Sequence, residues 1–415
     1  MEWLIDSPDH HRRLSEETER LLRFGRASRH GTAFGWLDDE GRPTPDVPDY
    51  LYVTCRMTHT YAMGDLLGSP GAAKLVDHGL ASLRGTFRDR ENGGWFTAMD
   101  GSAVHDARKW AYPHAFVVLA AASAAVAGRP GASELLAEAT DLLEGRFWDD
   151  DAGMLVEEWD ATFVTLSGYR GANANMHGVE AMLAAYGATG ASWWLDRAER
   201  VCRRMVDEAR HASWRLPEHY DSSWQPDPEH NRDHPDDPFK PYGTTPGHSF
   251  EWARLLVQLR AGLEQENRDV PTWLLEGARA LTGRAVEDAW AVDGAPGFVY
   301  TVDWSGRPVI HQRLHWVLCE ALGAAASLWA ATGEERYARW YEDWWSYAER
   351  AFVDPVGSWH HELDRENRPA ATIRPGKADL YHAAQATVLP RVPLAPSLAV
   401  ALRRAASCRP GTMET

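Results

Sequence analysis

The segment Pro241–Leu256, PYGTTPGHSFEWARLL, decides how the chain is read. Pro246 and Gly247 break the preceding stretch, and the apolar spacing Phe250, Trp252, Leu255, Leu256 then predicts a helix with His248 in its first turn. His248 and Glu251 are three residues apart and share a helix face, with Arg254 three further on and able to steady the carboxylate. An imidazole beside a carboxylate suits proton transfer near neutral pH. Taken alone, the segment reads equally well as a capping histidine followed by a surface Glu251–Arg254 pair. Its recurrence along the chain separates the two readings.

Six aromatic-rich segments with Gly or Asp at their bends read as β-hairpins, beginning near Gly31, Asn92, Gly153, Ser213, Gly297 and Gly357. Each is followed by a polar-aromatic stretch and an apolar helix. The first of these helices carries Arg56 and His59, the next Tyr112 and His114, then Asn173 and His177, His248 and Glu251, His315 and Glu320, and finally His382. Amphipathic stretches such as Trp193–Glu208 and Tyr337–Phe352 lie between them as outer helices. A sixfold alternation of inner and outer helix can bury both layers by closing into a ring. The predicted fold is therefore all-α: one (α/α)6 barrel over residues 1–402, with short β-hairpins in the loops of the active-site face and residues 403–415 as a flexible tail. On this reading the six histidines occupy one register at the rim, His59 and His114 as structural caps and His248 and His382 as chemistry. The Pro/Asp/His-rich insertion 220–242 reads as an ordered loop over the barrel mouth. Its His230, His234 and Asp237 suit a solvated loop better than a metal cluster.

Composition narrows the function. A net charge of -17 argues against nucleic acid, whose phosphates it would repel. The 20 Trp suit a carbohydrate site, because aromatic faces match the C–H patches of a sugar ring. Cys55, Cys202, Cys319 and Cys408 have no metal-type spacing and fit reduced thiols in a cytoplasm. No secretory signal opens the sequence, and the longest apolar run, 115–128, reads as a buried helix rather than a membrane span. Dinucleotide, P-loop and nucleophile-elbow patterns do not occur.

Arg56 in TCRM, Asn173 and His177 in GANANMHGVEAM, PGHSFEWARLL around His248, His315 and Glu320 in HWVLCEALGA, and DLYHAAQA around His382 together resemble the N-acylglucosamine 2-epimerase superfamily over about residues 14–400. Within it, the Glu251-Trp252 pair is closest to the mannose isomerase and sulfoquinovose isomerase branch. The resemblance implies an (α/α)6 barrel, a free sugar as substrate, and neither metal nor organic cofactor. It makes His248 and His382 the acid/base pair, and Arg56, Tyr112, Asn173, His177, Glu251, His315, Trp316 and Glu320 the substrate-binding wall. The implied reaction is the metal-independent interconversion of D-mannose and D-fructose, or of D-lyxose and D-xylulose, through a cis-enediol, by a monomer or homodimer in the cytoplasm. Five other readings remain open at this point: a sugar 2-epimerase of N-acylglucosamine or cellobiose type, a sulfoquinovose isomerase using Arg56 or the Lys240 region, a glycoside hydrolase using Glu251 with Glu320 or Asp379, a non-catalytic sugar-binding module, and a metal-dependent isomerase, for which no H-x-x-x-H or carboxylate-rich constellation appears.

Overall fold

The computed structural model describes residues 3–407. Its helices run α1 (Pro8–Phe24), α2 (Leu51–Leu67), α3 (Ala72–Arg84), α4 (Ala111–Val126), α5 (Ala132–Leu142), α6 (Ala172–Thr189) and α7 (Trp193–His211). They continue with α8 (Pro246–Gln265), α9 (Thr272–Ala289), α10 (His315–Thr332), α11 (Glu335–Ala351), α12 (Tyr381–Val388) and α13 (Leu398–Ser407). Even-numbered helices from α2 to α12 form the inner layer. They are apolar or small on every side, as in AYPHAFVVLAAASAAV of α4, because both of their faces are covered. Outer helices such as α7 and α11 bury one stripe only and leave Arg and Glu in water. Each inner helix packs on the outer helix that follows it, and α12 closes the circle against α1. The predicted (α/α)6 barrel is the architecture found.

Ring closure also rests on six short antiparallel bridges. Tyr50 pairs with Ala98, Trp110 with Glu158, Gly171 with His219, Thr244 with Val302, Leu314 with Glu362, and Leu37 with Lys377. Each joins the chain just ahead of one inner helix to the extended segment of the neighbouring repeat, so the inner-helix N-termini are fixed on one rim. Gly243 shows how tight this is. Its φ is +89°, and a Cβ there would lie 2.3 Å from the carbonyl oxygen of Val302, so only glycine allows the Thr244 bridge. At the opposite end α13 closes the floor. Its Leu398 and Leu402 pack on Met63, Ala384 and Val388, and its Val400 clusters with Val126.

The structure corrects two expectations. Helix α13 runs to Ser407, so residues 403–407 continue a helix rather than open a tail; the turns that carry Leu398–Leu402 into the floor extend one further turn. The rest of the expected tail, with Cys408, lies outside the described residues. The six histidines also do not share one register. Counted from the bridging residues, His114 and His248 stand four positions after Trp110 and Thr244, His177 six after Gly171, His59 nine after Tyr50, His315 one after Leu314, and His382 five after Lys377. Loops of unequal length ahead of each helix produce similar histidine spacing without equal register.

His59 and His114 are structural, as expected. His114 Nδ1 donates to the Trp110 carbonyl at 2.6 Å, and its Nε2 accepts the Trp95 amide at 3.2 Å. His59 Nδ1 lies 2.7 Å from Ser123 Oγ. Burial pushes both imidazoles down from 6.5, His59 to about 4 and His114 to about 3. Both are therefore neutral in the fold, whereas the unfolded chain protonates them below its own value of 6.5. The unfolded state then binds more protons, so stability is lost as pH falls from about 6.5 towards 4, at roughly 1.4 kcal/mol per pH unit for each such histidine. Urea midpoints measured across that window should fall with acidification, and the slope should ease in His59→Gln and His114→Asn.

Candidate active site

A cavity of about 740 Å³ opens at the rim defined by the inner-helix N-termini. Arg56, Tyr112, Asn173, His177, His248, Glu251, His315, Trp316 and His382 all stand on its wall. Of the ten side chains singled out in the sequence, only Glu320 does not reach it. Glu320 is 2 % exposed and sits behind His382, so it is not a wall residue as expected.

Residues 248 and 382, far apart in sequence, flank one indole. The Trp316 ring centroid is 5.2 Å from that of His248 and 5.8 Å from that of His382. Gly247 makes this possible, because a Cβ there would lie 2.4 Å from the Trp316 ring. Each imidazole is held from behind by a carboxylate. His248 Nδ1 is 2.9 Å from Glu218 Oε2, and His382 Nδ1 is 2.9 Å from Glu320 Oε1. A carboxylate acceptor fixes the proton on Nδ1, which leaves the Nε2 lone pair of each ring towards the cavity. Burial, aided by the charge of Arg56, holds His382 well below its ordinary value, so it is a neutral base. The position of His248 has a structural counterpart elsewhere in the barrel. At the same four-residue register Thr54, His114 and Asn175 bind the amides of Phe34, Trp95 and Leu155, whereas His248 of α8 and Tyr381 of α12 turn instead to carboxylates, Glu218 and Glu180.

Beneath this pair lies Arg254, 1 % exposed. Its Nε donates to Glu320 at 2.9 Å, its NH2 group to Glu251 at 3.1 Å and its NH1 group to Gln258 at 3.2 Å, with Glu180 at 3.7 Å. The alternative of a surface Glu251–Arg254 pair is thus half right: the pair exists, but the barrel axis encloses it. Burial and the neighbouring Glu320 push Glu251 well above the usual carboxylate range. Glu180 goes the other way: burial opposes it, but the bond to His177, the Arg254 charge and the Tyr381 hydroxyl prevail and hold it low. Two sets of side chains have the spacing of metal ligands, His177 with Glu180 and Glu251, and Glu251 with Glu320 and His382. Arg254 already supplies the positive charge to all three of those carboxylates, so the donor sets do not fit a divalent cation well. His230, His234 and Asp237 of the insertion belong to neither set.

The upper wall holds a second buried pair. Arg56 donates to Asp379 at 3.1 Å and to the Tyr112 hydroxyl at 2.8 Å, with the rings of Phe116 and Tyr381 4.5 and 4.8 Å from its guanidinium carbon. Burial raises Asp379, but the Arg56 charge, His382 and the Tyr381 amide outweigh it and keep the carboxylate ionised. His177 and His315 are both pushed down to about 4 by burial, and His315 stacks on His361 at 4.0 Å. The insertion 220–242 does cross the mouth: Pro238, Phe239 and Pro241 line the cavity, and Arg374 lies 4.8 Å over the Phe239 ring.

Sequence reasoning missed Glu218, Trp36, Tyr300, His361 and Arg374. The first four lie in the predicted hairpins, Glu218, Trp36 and His361 next to the bridging residues 219, 37 and 362 and Tyr300 two before the bridging residue 302. Hairpin alternation would have aimed them inward had the bridge register been known. Arg374 sits in an irregular loop and carried no such signal.

The N-acylglucosamine 2-epimerase family model matches residues 32–386. A D-mannose isomerase of Thermobifida fusca is 51 % identical over 394 residues, covering 94 % of this chain and 96 % of that protein. A D-mannose isomerase of Pseudomonas cannabina pv. alisalensis is 48 % identical over 403 residues, covering 96 % of this chain and 97 % of that one. The crystal structure of a D-mannose isomerase superposes with a TM-score of 0.85 at 28 % identity, over 91 % of this chain and 97 % of that chain. With a family model spanning the whole ring of inner helices and relatives matched nearly end to end, the chain belongs to the N-acylglucosamine 2-epimerase family.

Proposed function

We propose that this protein is an aldose–ketose isomerase interconverting D-mannose and D-fructose without a metal ion. The observation that carries the reading is the pair of imidazoles, each held at Nδ1 by a buried carboxylate, presenting Nε2 to one aromatic-walled cavity. The relatives named D-mannose isomerase support the choice of sugar.

In the proposed cycle His248 moves the anomeric and ring-oxygen protons that open the pyranose. His382 then takes the proton from C2, which leaves a cis-enediol with its negative charge on O1, and His248 carries the proton of O2 across to O1. His382 returns its proton to C1 from the same face, and O2 becomes the ketone oxygen. Arg56 hydrogen-bonds the oxygen that gains negative charge, and its pairing with Asp379 and Tyr112 keeps it aimed without reorganisation. Trp316 offers its face to the sugar between the two bases. Of the cations that could meet a sulfonated hexose, Arg56 is already paired with Asp379, and the D-mannose isomerase relatives favour a neutral sugar. A hydrolase would need two free carboxylates across the cleft, whereas Glu251 and Glu320 are engaged by Arg254 and Asp379 by Arg56. The buried thiols of Cys55, Cys202 and Cys319 fit a cytoplasmic enzyme, and among the described residues no helix is long and apolar enough to cross a membrane.

His248→Asn and His382→Asn should each lower kcat by about 10² to 10⁴ while the far-ultraviolet spectrum stays native. With [2-²H]mannose the fructose formed early should carry part of its label at C1; glucose as the main early product would instead mean 2-epimerisation. Removing the orienting charges should act on turnover rather than on binding. For Glu218→Gln and Glu320→Gln we expect kcat to drop about 10²-fold or more with KM little changed. Because His382 stays neutral well below 6.5, the acid limb of the wild-type kcat profile should lie below that value. Exhaustive EDTA treatment should leave activity intact, and loss restored by a divalent ion would overturn the metal-free cycle.

A further inference from the structure

A second cavity lies beside the first, on the far side of Phe239. It measures about 980 Å³ with its open mouth included, and shares with the first only Tyr52, Tyr112, Asn173 and Phe239. Its own walls include Tyr50, Trp110, Tyr169, Glu157 and Lys240, none of which has a part in the proposed proton transfers. The Lys240 ammonium is placed by rings, 4.0 Å from the Tyr169 centroid and 5.1 Å from that of Trp110.

Glu157 is the feature that calls for a ligand. By register it is the counterpart of Glu218. Its carbonyl accepts the amide of Ala111 at 2.8 Å just as that of Glu218 accepts the amide of Ala172 at 2.9 Å. There the likeness ends, because Glu218 grips His248 whereas Glu157 Oε2 is bound by no side chain and has only the Gly171 amide near it, although the residue is only 5 % exposed. Trp110 Nε1 and Asn173 Oδ1 are buried without partners. Leaving such groups unmatched is costly, and native proteins keep them chiefly where something else completes them. Burial pushes the Glu157 carboxyl up to about 7, so near neutral pH it can donate as well as accept.

We propose that this second cavity binds one free hexose, separate from the molecule being isomerised. Aromatic walls with unmatched donors and acceptors among them suit a neutral polyhydroxylated ring. The Phe239 ring, 6.1 Å from that of Tyr52 and 6.2 Å from that of Tyr112, with Arg374 over it, stands between the cavities and favours two molecules over one longer sugar. A hexose there packs on the strap that carries Phe239 and slows release of product from the first cavity, so turnover is partly inhibited at high sugar concentration. The proposal rests on the reading of the main site as a sugar site.

Isothermal titration of the full chain with 1,5-anhydro-D-mannitol, which cannot open its ring, tests it without turnover. Two binding events are expected. Glu157→Leu should weaken the second at least about tenfold, leave the first unchanged, and remove inhibition at high mannose while initial rates at low mannose stay as in the wild type. A single site in the wild type overturns the proposal, a result that does not depend on the variant folding. So does an equal loss at both sites in Glu157→Leu. A mannose disaccharide that binds once and needs Glu157 would overturn it as well, by giving the cavity to the second ring of one molecule. If no free hexose or anhydrohexitol binds anywhere, the main-site reading itself fails.

Discussion

One buried guanidinium holds the working half of the barrel together. Arg254 of α8 reaches Glu180 on α6, Glu251 on its own helix and Glu320 on α10, and through Glu320 it fixes His382 on α12. A charge this deep is tolerable only if fully matched, and three carboxyls with a glutamine oxygen match it. Removing one partner would leave an unpaired charge in a low-dielectric core, so the network constrains four inner helices to one relative placement. Gly323 shows how close the packing is, since a Cβ there would meet Arg254 Cδ at 3.4 Å and Leu389 at 3.1 Å.

That constraint also gives the two imidazoles of the proposed cycle different surroundings. His382 draws its carboxylate from the shared Arg254 network and lies under the field of Arg56, which favours the neutral ring. His248 takes its own carboxylate from a hairpin, and the same Glu218 also receives the Thr245 amide at 3.2 Å. One imidazole is tied to the barrel axis and the other to the rim. A reaction that moves carbon-bound and oxygen-bound protons separately uses two bases whose surroundings differ in this way.

The alternation of hairpin and apolar helix carried the barrel, because a helix buried on both faces has to be apolar all round and its outer neighbour striped. Nine of the ten site residues chosen from the sequence meet on one wall for the related reason that they lie near inner-helix N-termini, which the bridges gather on a single rim. Glu320 was placed one layer too far forward, since position along an inner helix does not give depth behind the cavity wall. Glu218 and the carboxyl of Glu157 were invisible, because strands two residues long have too little alternation to reveal which side chain points inward.

What the sequence determined by itself was local and periodic: six repeats, the inner and outer character of their helices, and a set of imidazoles near helix starts. Those follow from hydrophobic spacing and from residue type, which neighbours along the chain express directly. The tertiary structure alone decided register and pairing. Which of the six histidines became a cap, which carboxylate stands behind which imidazole, and whether Glu251–Arg254 faces water or the barrel axis all depend on contacts across the ring. Such contacts are fixed by six backbone bridges and one shared cation, and no residue's nearest neighbours in sequence encode them.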